Sequence, residues 1–212
     1  MKIGVWLAAL ALLVPTIGAS AQSKTKAALK NPAALKEKAP ANFKAEFVTT
    51  QGVFIVDVTR AWSPNGADRF YNMVKNGFFD GVKFFRVVPH FVVQFGIHGD
   101  PAIATKWLDA TIPDDKVVQG NKRGFLTFAK SGAPNSRSSQ LFISLADNSF
   151  LDATGFSAFG KVSKGMEVVD KFYNGYGEQI TQLQGEIATG GNKYLATNWP
   201  KLDSIKKAML VK

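Results

Sequence analysis

The stretch that most constrains the fold is residues 84–100, FFRVVPHFVVQFGIHGD, an apolar run that contains one arginine, Arg86. Arginine keeps its charge at any accessible pH and is rarely buried without a partner. Two interpretations therefore compete. In one, the run is a strand whose arginine points to solvent or meets a carboxylate. In the other, it is the floor of a binding groove that combines apolar side chains with one fixed cationic donor.

Residues 1–21 have the features of a secretory signal peptide. Lys2 precedes an apolar segment, and the small residues Ala-Ser-Ala at 19–21 form a cleavage site. Pro15 and Gly18 interrupt the apolar run, whereas a membrane span needs roughly 20 apolar residues. We expect export to the periplasm or the medium, with cleavage after Ala21 and no integral membrane span in the mature chain.

Residues 22–41 are rich in alanine, lysine and proline. They contain no aromatic residue, and Leu29 and Leu35 are their only large apolar side chains. Such a segment cannot bury enough apolar surface to fold by itself. We expect a flexible basic linker followed by one folded domain, residues 42–212. A further hypothesis is that this linker attaches the domain to an anionic envelope surface.

Composition excludes several classes of function. The chain has no cysteine, so disulfides, thiolate catalysis and cysteine-ligated metals are excluded. The formal net charge is +10, but the lysines gather in residues 24–44 and 201–212 without a basic stripe interleaved with aromatic residues, so nucleic acid is not an expected partner. The two histidines, His90 and His98, lack metal-ligand spacing. No phosphate loop or nucleophile elbow is present, and we expect no cofactor.

The residues after the linker alternate in the manner of β-strands. Residues 43–50 and 53–59 form a predicted hairpin that turns at Gln51-Gly52, with Phe54, Val56 and Val58 on the core face. Further strand-like runs, separated by loops, occupy residues 125–129, 140–144, 157–162 and 202–210.

Two segments have helical patterns. Ser63 is a predicted N-cap before Pro64, and the helix that follows should end at Gly77. Residues 165–173 are the second predicted helix. Many short strands, two helices and no alternation of strand with helix predict a mostly β protein, an antiparallel barrel or sandwich. We favour the closed barrel because it leaves no exposed edge.

Three blocks resemble signature blocks of the cyclophilin peptidyl-prolyl isomerases in the family's order and spacing. They are FFRVVPHFVVQFG, FAKSGAPNSRSSQLFIS at 128–144 and FLDATGFSAFGKV at 150–162. The resemblance extends over residues 43–210. It implies a closed eight-stranded antiparallel β-barrel capped by two α-helices. It also implies an isomerase that acts on proline-containing polypeptides, and we expect a monomer.

The resemblance assigns roles by position. It implies that Arg86 is the catalytic arginine and that Phe91, Val92, Phe142 and Leu151 form the proline pocket. Gln94 and Gln140 would orient the peptide, and Ala129 with the backbone of Lys130 would line an extended substrate. The substrate-binding set is completed by Phe150 and Phe156. Taken singly, each pocket aromatic could instead be ordinary barrel core.

The sequence departs from the family pattern at several positions. Lys130 stands where many members have asparagine, and Phe156 replaces a pocket histidine. Phe150 replaces a tryptophan, common in eukaryotic members, whose indole N–H helps to hold the inhibitor cyclosporin, so we predict weak cyclosporin binding. The altered turn at residues 95–99, FGIHG, leaves open whether Gln94 still reaches the groove.

The sequence thus predicts an exported peptidyl-prolyl cis-trans isomerase that accelerates X-Pro rotation in unfolded or newly exported proteins. The alternative is a peptide-binding or holdase chaperone that uses the same groove with little catalysis.

Overall fold

The computed structural model describes residues 27–212, and the predicted signal peptide lies outside the described residues. Eight strands form one antiparallel sheet with the spatial order β3-β4-β6-β5-β7-β2-β1-β8. The strands are β1 (Asn42–Thr49), β2 (Val53–Thr59), β3 (Arg86–Val88), β4 (Val92–Phe95), β5 (Phe125–Phe128), β6 (Leu141–Ser144), β7 (Ala158–Lys164) and β8 (Ile205–Val211).

The sheet is curled, but its two edge strands, β3 and β8, share no ladder in the described part of the chain. Between them, an isolated antiparallel bridge joins Lys83 to Ser204, and the Phe84 N–H donates to the Asp203 carbonyl at 3.1 Å. The prediction of a mostly β, antiparallel fold is confirmed. The predicted full closure of the barrel is not confirmed, because the sheet is curled but open between β3 and β8.

Besides a short helical stretch at residues 27–29, the described residues contain four α-helices, whereas two were expected. They are α1 (Pro64–Lys75), α2 (Pro101–Leu108), α3 (Met166–Val169) and α4 (Gln184–Asn198), and 3-10 turns occur at Pro32–Ala34, Arg60–Trp62 and Ser149–Thr154. Helix α1 was predicted, but α3 is much shorter than the predicted 165–173. Helix α4 was missed because Gly190 and Gly191 are poor helix formers, and Gly191 does break the helix with φ 59°. No helix in residues 27–212 has the length and apolar character of a membrane span.

The main hydrophobic core lies between the curled sheet and α1. Phe54, Val56 and Val58 of the predicted hairpin are buried there, as the alternation indicated. Phe47 stacks on Phe54 with ring centroids 4.8 Å apart, and Phe70 of α1 packs against this aromatic group. The hairpin and the first helix therefore form as the sequence predicts, because their apolar periods match a strand and a helix respectively.

The N-terminus of α1 is capped from a distant loop and not by Ser63. The Ser63 side chain makes no cap hydrogen bond and instead donates to Asp115 Oδ2 at 2.6 Å. The same carboxylate accepts from the backbone N–H groups of Asn65 at 3.2 Å and Gly66 at 3.0 Å. A carboxylate there also complements the positive end of the helix dipole, so Asp115 supplies what the predicted cap would have supplied.

Residues 27–41, which we call the strap, pack against the folded domain. Leu29 is only 2% exposed and belongs to the main core. Asn72 of α1 pairs with the backbone of Glu37 in both directions, at 3.2 and 2.7 Å, and Asp68 accepts from the Ala39 N–H at 2.9 Å. This differs from the flexible linker that composition predicts, because the domain supplies the partners that the strap itself lacks. Residues 22–26 lie outside the described residues.

A second hydrophobic cluster joins α2, α4 and the segment before α4. It includes Phe85, just before β3, and Ile97, just after β4, together with Ile180, Ile187 and Leu195. Phe85 immediately precedes Arg86, the first residue of β3. The second cluster therefore ties the C-terminal helical region to the strand that carries the arginine.

Candidate active site

One row of side chains crosses four neighbouring strands on the face of the sheet opposite the core. The Cα partners are Arg86 with Gln94, Gln94 with Phe142, and Phe142 with Thr127. Paired residues of antiparallel strands share a face, and the next residues along each strand point the other way. This alternation explains how a charged residue can stand inside an apolar run.

Hydrogen bonds join Arg86 and Gln94 to Gln140, which lies two residues before Phe142 and which we count with the row. Arg86 Nη1 donates to Gln94 Oε1 at 2.9 Å, and Gln94 Nε2 donates to Gln140 Oε1 at 2.9 Å. The Arg86 side chain is 17% exposed. Because the guanidinium has only donors, it fixes the orientation of the Gln94 amide, which must turn its oxygen toward Arg86.

The charge of Arg86 is paired with Glu178. Arg86 Nε donates to Glu178 Oε2 at 2.8 Å and Nη2 donates to Oε1 at 2.7 Å. These hydrogen bonds hold the pKa of Glu178 below its ordinary value. The first interpretation of the arginine, a strand residue that meets a carboxylate, therefore holds, and the binding groove stays a prediction.

Aromatic side chains lie beside the polar row. The Arg86 guanidinium carbon is 5.3 Å from the centroid of the Phe91 ring, and Phe91 stacks with Phe150 at 6.2 Å. Phe142 meets Phe156 edge to face at 5.8 Å. Phe150 is 64% exposed, which is unusual for so large an apolar side chain. Val92 is buried next to Phe91 at the start of β4.

Asn121 supports the aromatic wall, the name we give to Phe91, Phe142, Phe150 and Phe156. It is fully buried and donates from Nδ2 to Asp152 Oδ1 and to the Phe156 carbonyl, both at 2.7 Å. Its Oδ1 accepts from the Thr127 hydroxyl at 2.7 Å. Asn121 thereby joins β5 to the 3-10 turn Ser149–Thr154, which carries Phe150 and Leu151. A single asparagine in a loop gave no sequence signal for this role.

Ala129 and Lys130 follow β5 at the edge of the row. The Ala129 N–H donates to the Gln140 carbonyl at 2.9 Å, which places the end of β5 beside Gln140. Lys130 Nζ lies 3.4 Å from Asp114 Oδ2, and the lysine side chain is mostly buried. Its ammonium group is therefore held by a carboxylate, and the backbone of this residue is the part that continues the strand direction.

The altered turn at residues 95–99 keeps Gln94 in the row. Gly96 adopts φ 107°, a conformation that favours glycine, and its carbonyl accepts from the Ser139 hydroxyl at 2.8 Å. The Gly99 carbonyl accepts from the Asn192 N–H of α4 at 2.9 Å. The His98 ring is buried, and its Nδ1 accepts from the Asp100 N–H at 2.9 Å, so it organises the turn.

Two residues that the sequence analysis did not assign reach the row. Glu178 binds Arg86, and Gln184 Oε1 accepts from Gln140 Nε2 at 2.8 Å. Both come from a polar, glycine-containing stretch without a motif, and 92 residues separate Glu178 from Arg86. Only the folded chain brings them together.

The arrangement is a set of fixed N–H donors beside an aromatic wall. Within residues 27–212, no group of three or more His, Asp or Glu side chains is placed to hold a metal ion. Such a surface can bind an extended peptide, seat an apolar ring against the aromatic residues and present a cationic donor to an atom that gains electron density.

Comparisons with known proteins agree on one family. The family model described as cyclophilin type peptidyl-prolyl cis-trans isomerase/CLD matches residues 44–189. A protein of Acinetobacter baylyi named peptidyl-prolyl cis-trans isomerase is 38% identical over 140 residues, covering 63% of this chain and 73% of that protein. Peptidyl-prolyl cis-trans isomerase A of Dickeya dadantii is 37% identical over 132 residues, covering 58% of this chain and 63% of that protein.

A solved structure shares the fold. The crystal structure of a cyclophilin type peptidyl-prolyl cis-trans isomerase from Cryptosporidium parvum superposes with a TM-score of 0.58 at 16% identity. The match covers 81% of this chain and 98% of that chain. At this identity the likeness establishes the architecture alone.

Proposed function

The chain belongs to the cyclophilin-type peptidyl-prolyl cis-trans isomerase family and is an isomerase, and from this premise we propose that it accelerates X-Pro rotation in unfolded or newly exported proteins. The observation that carries the proposal is the row from Arg86 through Gln94 to Gln140 beside the aromatic wall. It combines a fixed cation, amide donors and an apolar surface of the kind that a proline ring can contact.

The physical task is to lower a rotational barrier. The partial double bond of the peptide imposes a rotational barrier of about 18–20 kcal/mol, although X-Pro bonds prefer the trans form over cis only slightly. Rotation breaks the amide resonance, so the prolyl nitrogen becomes pyramidal and regains its lone pair. A donor that binds this lone pair stabilises the twisted state more than either planar state. Each tenfold increase in rate requires about 1.4 kcal/mol of this additional stabilisation.

We assign Arg86 as the catalytic residue. Its guanidinium donates hydrogen bonds and cannot give up its proton, so it suits electrostatic stabilisation and not acid catalysis. Gln94 and Gln140 would orient the peptide, and the backbone of Ala129 and Lys130 would line it as an added strand. The proposed proline pocket and its rim consist of Phe91, Val92, Phe142, Phe150, Leu151 and Phe156.

We also propose that the protein is exported as a monomer to the periplasm or the medium and acts on proline-containing polypeptides. The support for export is the signal-like sequence of residues 1–21. The mass of the mature chain recovered from a periplasmic or culture fraction tests this proposal. A mass that corresponds to a start at residue 22 is expected, and a chain that retains residues 1–21 would contradict it.

A protease-free isomerisation assay on the mature chain tests the activity. Wild type should accelerate rotation of an X-Pro peptide, and Arg86→Ala should lose most of that acceleration. Arg123→Ala is the matched control, because Arg123 also pairs with a carboxylate, Asp170 at 2.6 Å, but belongs to a different ion pair outside the row. Equal low rates for wild type and Arg86→Ala, together with suppressed aggregation of an unfolded client, would favour the holdase alternative.

A further inference from the structure

Six residues around the row form a closed ring of hydrogen bonds. Beyond the bonds of Arg86 to Glu178 and Gln94, and of Gln94 to Gln140, the ring continues through Gln184 and Thr181. Gln140 Nε2 donates to Gln184 Oε1 at 2.8 Å, and Gln184 Nε2 donates to the Thr181 carbonyl at 3.0 Å. The Thr181 hydroxyl then donates to Glu178 Oε2 at 2.7 Å, which closes the ring.

The guanidinium sets the polarity of this ring. Since the guanidinium can only donate, Gln94 turns its oxygen toward Arg86 and its amide nitrogen toward Gln140. Gln140 in turn donates from its amide nitrogen to the oxygen of Gln184. Each glutamine uses one N–H in the ring and keeps a second one. The row therefore keeps free N–H donors, which match the carbonyl oxygens and the prolyl nitrogen of an extended peptide.

The segment that closes the ring is anchored in the protein. Residues 178–184, which we call the clamp, lie just before and at the start of α4. Ile180, between Glu178 and Gln184, is fully buried in the second hydrophobic cluster with Phe85, the neighbour of Arg86. The Thr181 N–H also donates to the Glu178 carbonyl at 3.0 Å, which tightens the turn. The clamp is thus fixed to the same strand end whose arginine it holds.

We propose that the clamp positions the catalytic row and that Glu178 is the positioning residue for Arg86. This inference rests on the proposed function. An arginine side chain has several rotatable bonds, and a carboxylate that binds Nε and Nη2 together fixes the plane of the guanidinium. Without Glu178, only the bond to Gln94 would hold the guanidinium in the ring, and small misplacements of a catalytic donor are costly to rate.

The experiment compares Glu178→Gln with wild type in the mature chain. Glutamine keeps the size of the side chain but removes the charge and turns one acceptor into a donor. Glu37→Gln is the matched control, because Glu37 pairs with Lys75 at 2.6 Å and is similarly exposed, 49% against 55% for Glu178. Three quantities are measured for each protein: kcat, the peptide dissociation constant and the protection of the Arg86 Nε–H signal in NMR.

We expect kcat of Glu178→Gln to fall by about fivefold to tenfold while the peptide dissociation constant stays within about twofold, since the interaction acts on orientation in the twisted state. The Arg86 Nε–H proton should exchange faster than in wild type, and Glu37→Gln should match wild type. The unfolding midpoint should fall only slightly, because exposed ion pairs contribute little to stability.

Three results would overturn the clamp: an unchanged kcat, a raised kcat, or a loss confined to peptide binding. Failure of the proposed function is separate, since it requires wild type and Arg86→Ala to be equally slow. In that case the NMR measurement still decides, because an Arg86 Nε–H that exchanges equally fast in wild type and Glu178→Gln rejects the clamp whatever the activity.

Discussion

The indole Nε1–H of Trp107 donates a 2.8 Å hydrogen bond to the carbonyl of Leu29, although 78 residues separate the two. Trp107 is fully buried in α2 and packs against Phe78, with the two rings tilted and their centroids 4.6 Å apart. The bond satisfies a buried indole donor and also places the Leu29 side chain in the main core. The strap is therefore part of the folded domain, and it contributes to the stability of the domain although its alanine- and lysine-rich composition does not indicate this.

Leu29→Ala should lower the free energy of unfolding by about 2–5 kcal/mol, because it removes a buried side chain and leaves a cavity. Lys30→Ala is the control, since Lys30 is exposed beside it and should change stability by less than about 0.5 kcal/mol. Urea denaturation of both variants measures the difference. Equal stabilities for the two variants would mean that the strap is detached in solution.

Asn121→Ala should destabilise the domain by about 1–3 kcal/mol, because the Phe156 carbonyl and the Thr127 hydroxyl lose their buried partner. The aromatic wall should also loosen, which raises KM for a proline peptide more than it lowers kcat. Asn174→Ala, at an exposed position, is the control for both measurements. Unchanged stability and KM would show that Asn121 does not support the wall.

Phe150→Trp should strengthen cyclosporin binding, because the indole adds the N–H donor that phenylalanine lacks. Wild type should bind the inhibitor weakly and still catalyse, since the exposed Phe150 ring offers contact area only. Inhibition titrations of both proteins in the peptide assay test this. Nanomolar inhibition of wild type would refute the prediction.

The ion pair of Glu178 with Arg86 should give a small, pH-dependent stabilisation. The hydrogen bonds from Arg86 lower the folded pKa of Glu178, so the stabilisation is fully present above the unfolded pKa, about 4.3, and is lost as the pH falls through the lower folded value. The stability difference between wild type and Glu178→Gln should thus be constant from about pH 6 to 8 and shrink in acid. Urea midpoints across pH measure it, and a difference that grows in acid would contradict the assignment.

Local patterns predicted the elements whose contacts are local. The alternation in residues 53–59 predicts that Phe54, Val56 and Val58 lie in the core, and the proline after Ser63 predicts the start of α1. Both predictions hold because the periods of strands and helices depend on residues that are close in sequence. Local patterns do not predict α4, whose glycines lower helix propensity, and they place the helix cap at Ser63 although Asp115 provides it. In both cases a tertiary partner outweighed the local preference.

By itself, the sequence determined that the chain forms short antiparallel strands, that Arg86 stands in an apolar run and that the blocks around it resemble those of one enzyme family. Tertiary structure alone decided which groups surround Arg86. Glu178, Thr181 and Gln184 reach the row because Ile180 is buried in the same hydrophobic cluster as Phe85, and the strap is ordered because Trp107 and α1 bind it. The physical reason is that hydrogen bonds and apolar contacts depend on distance in space, and spacing along the chain does not reveal which distant segments come within bonding range.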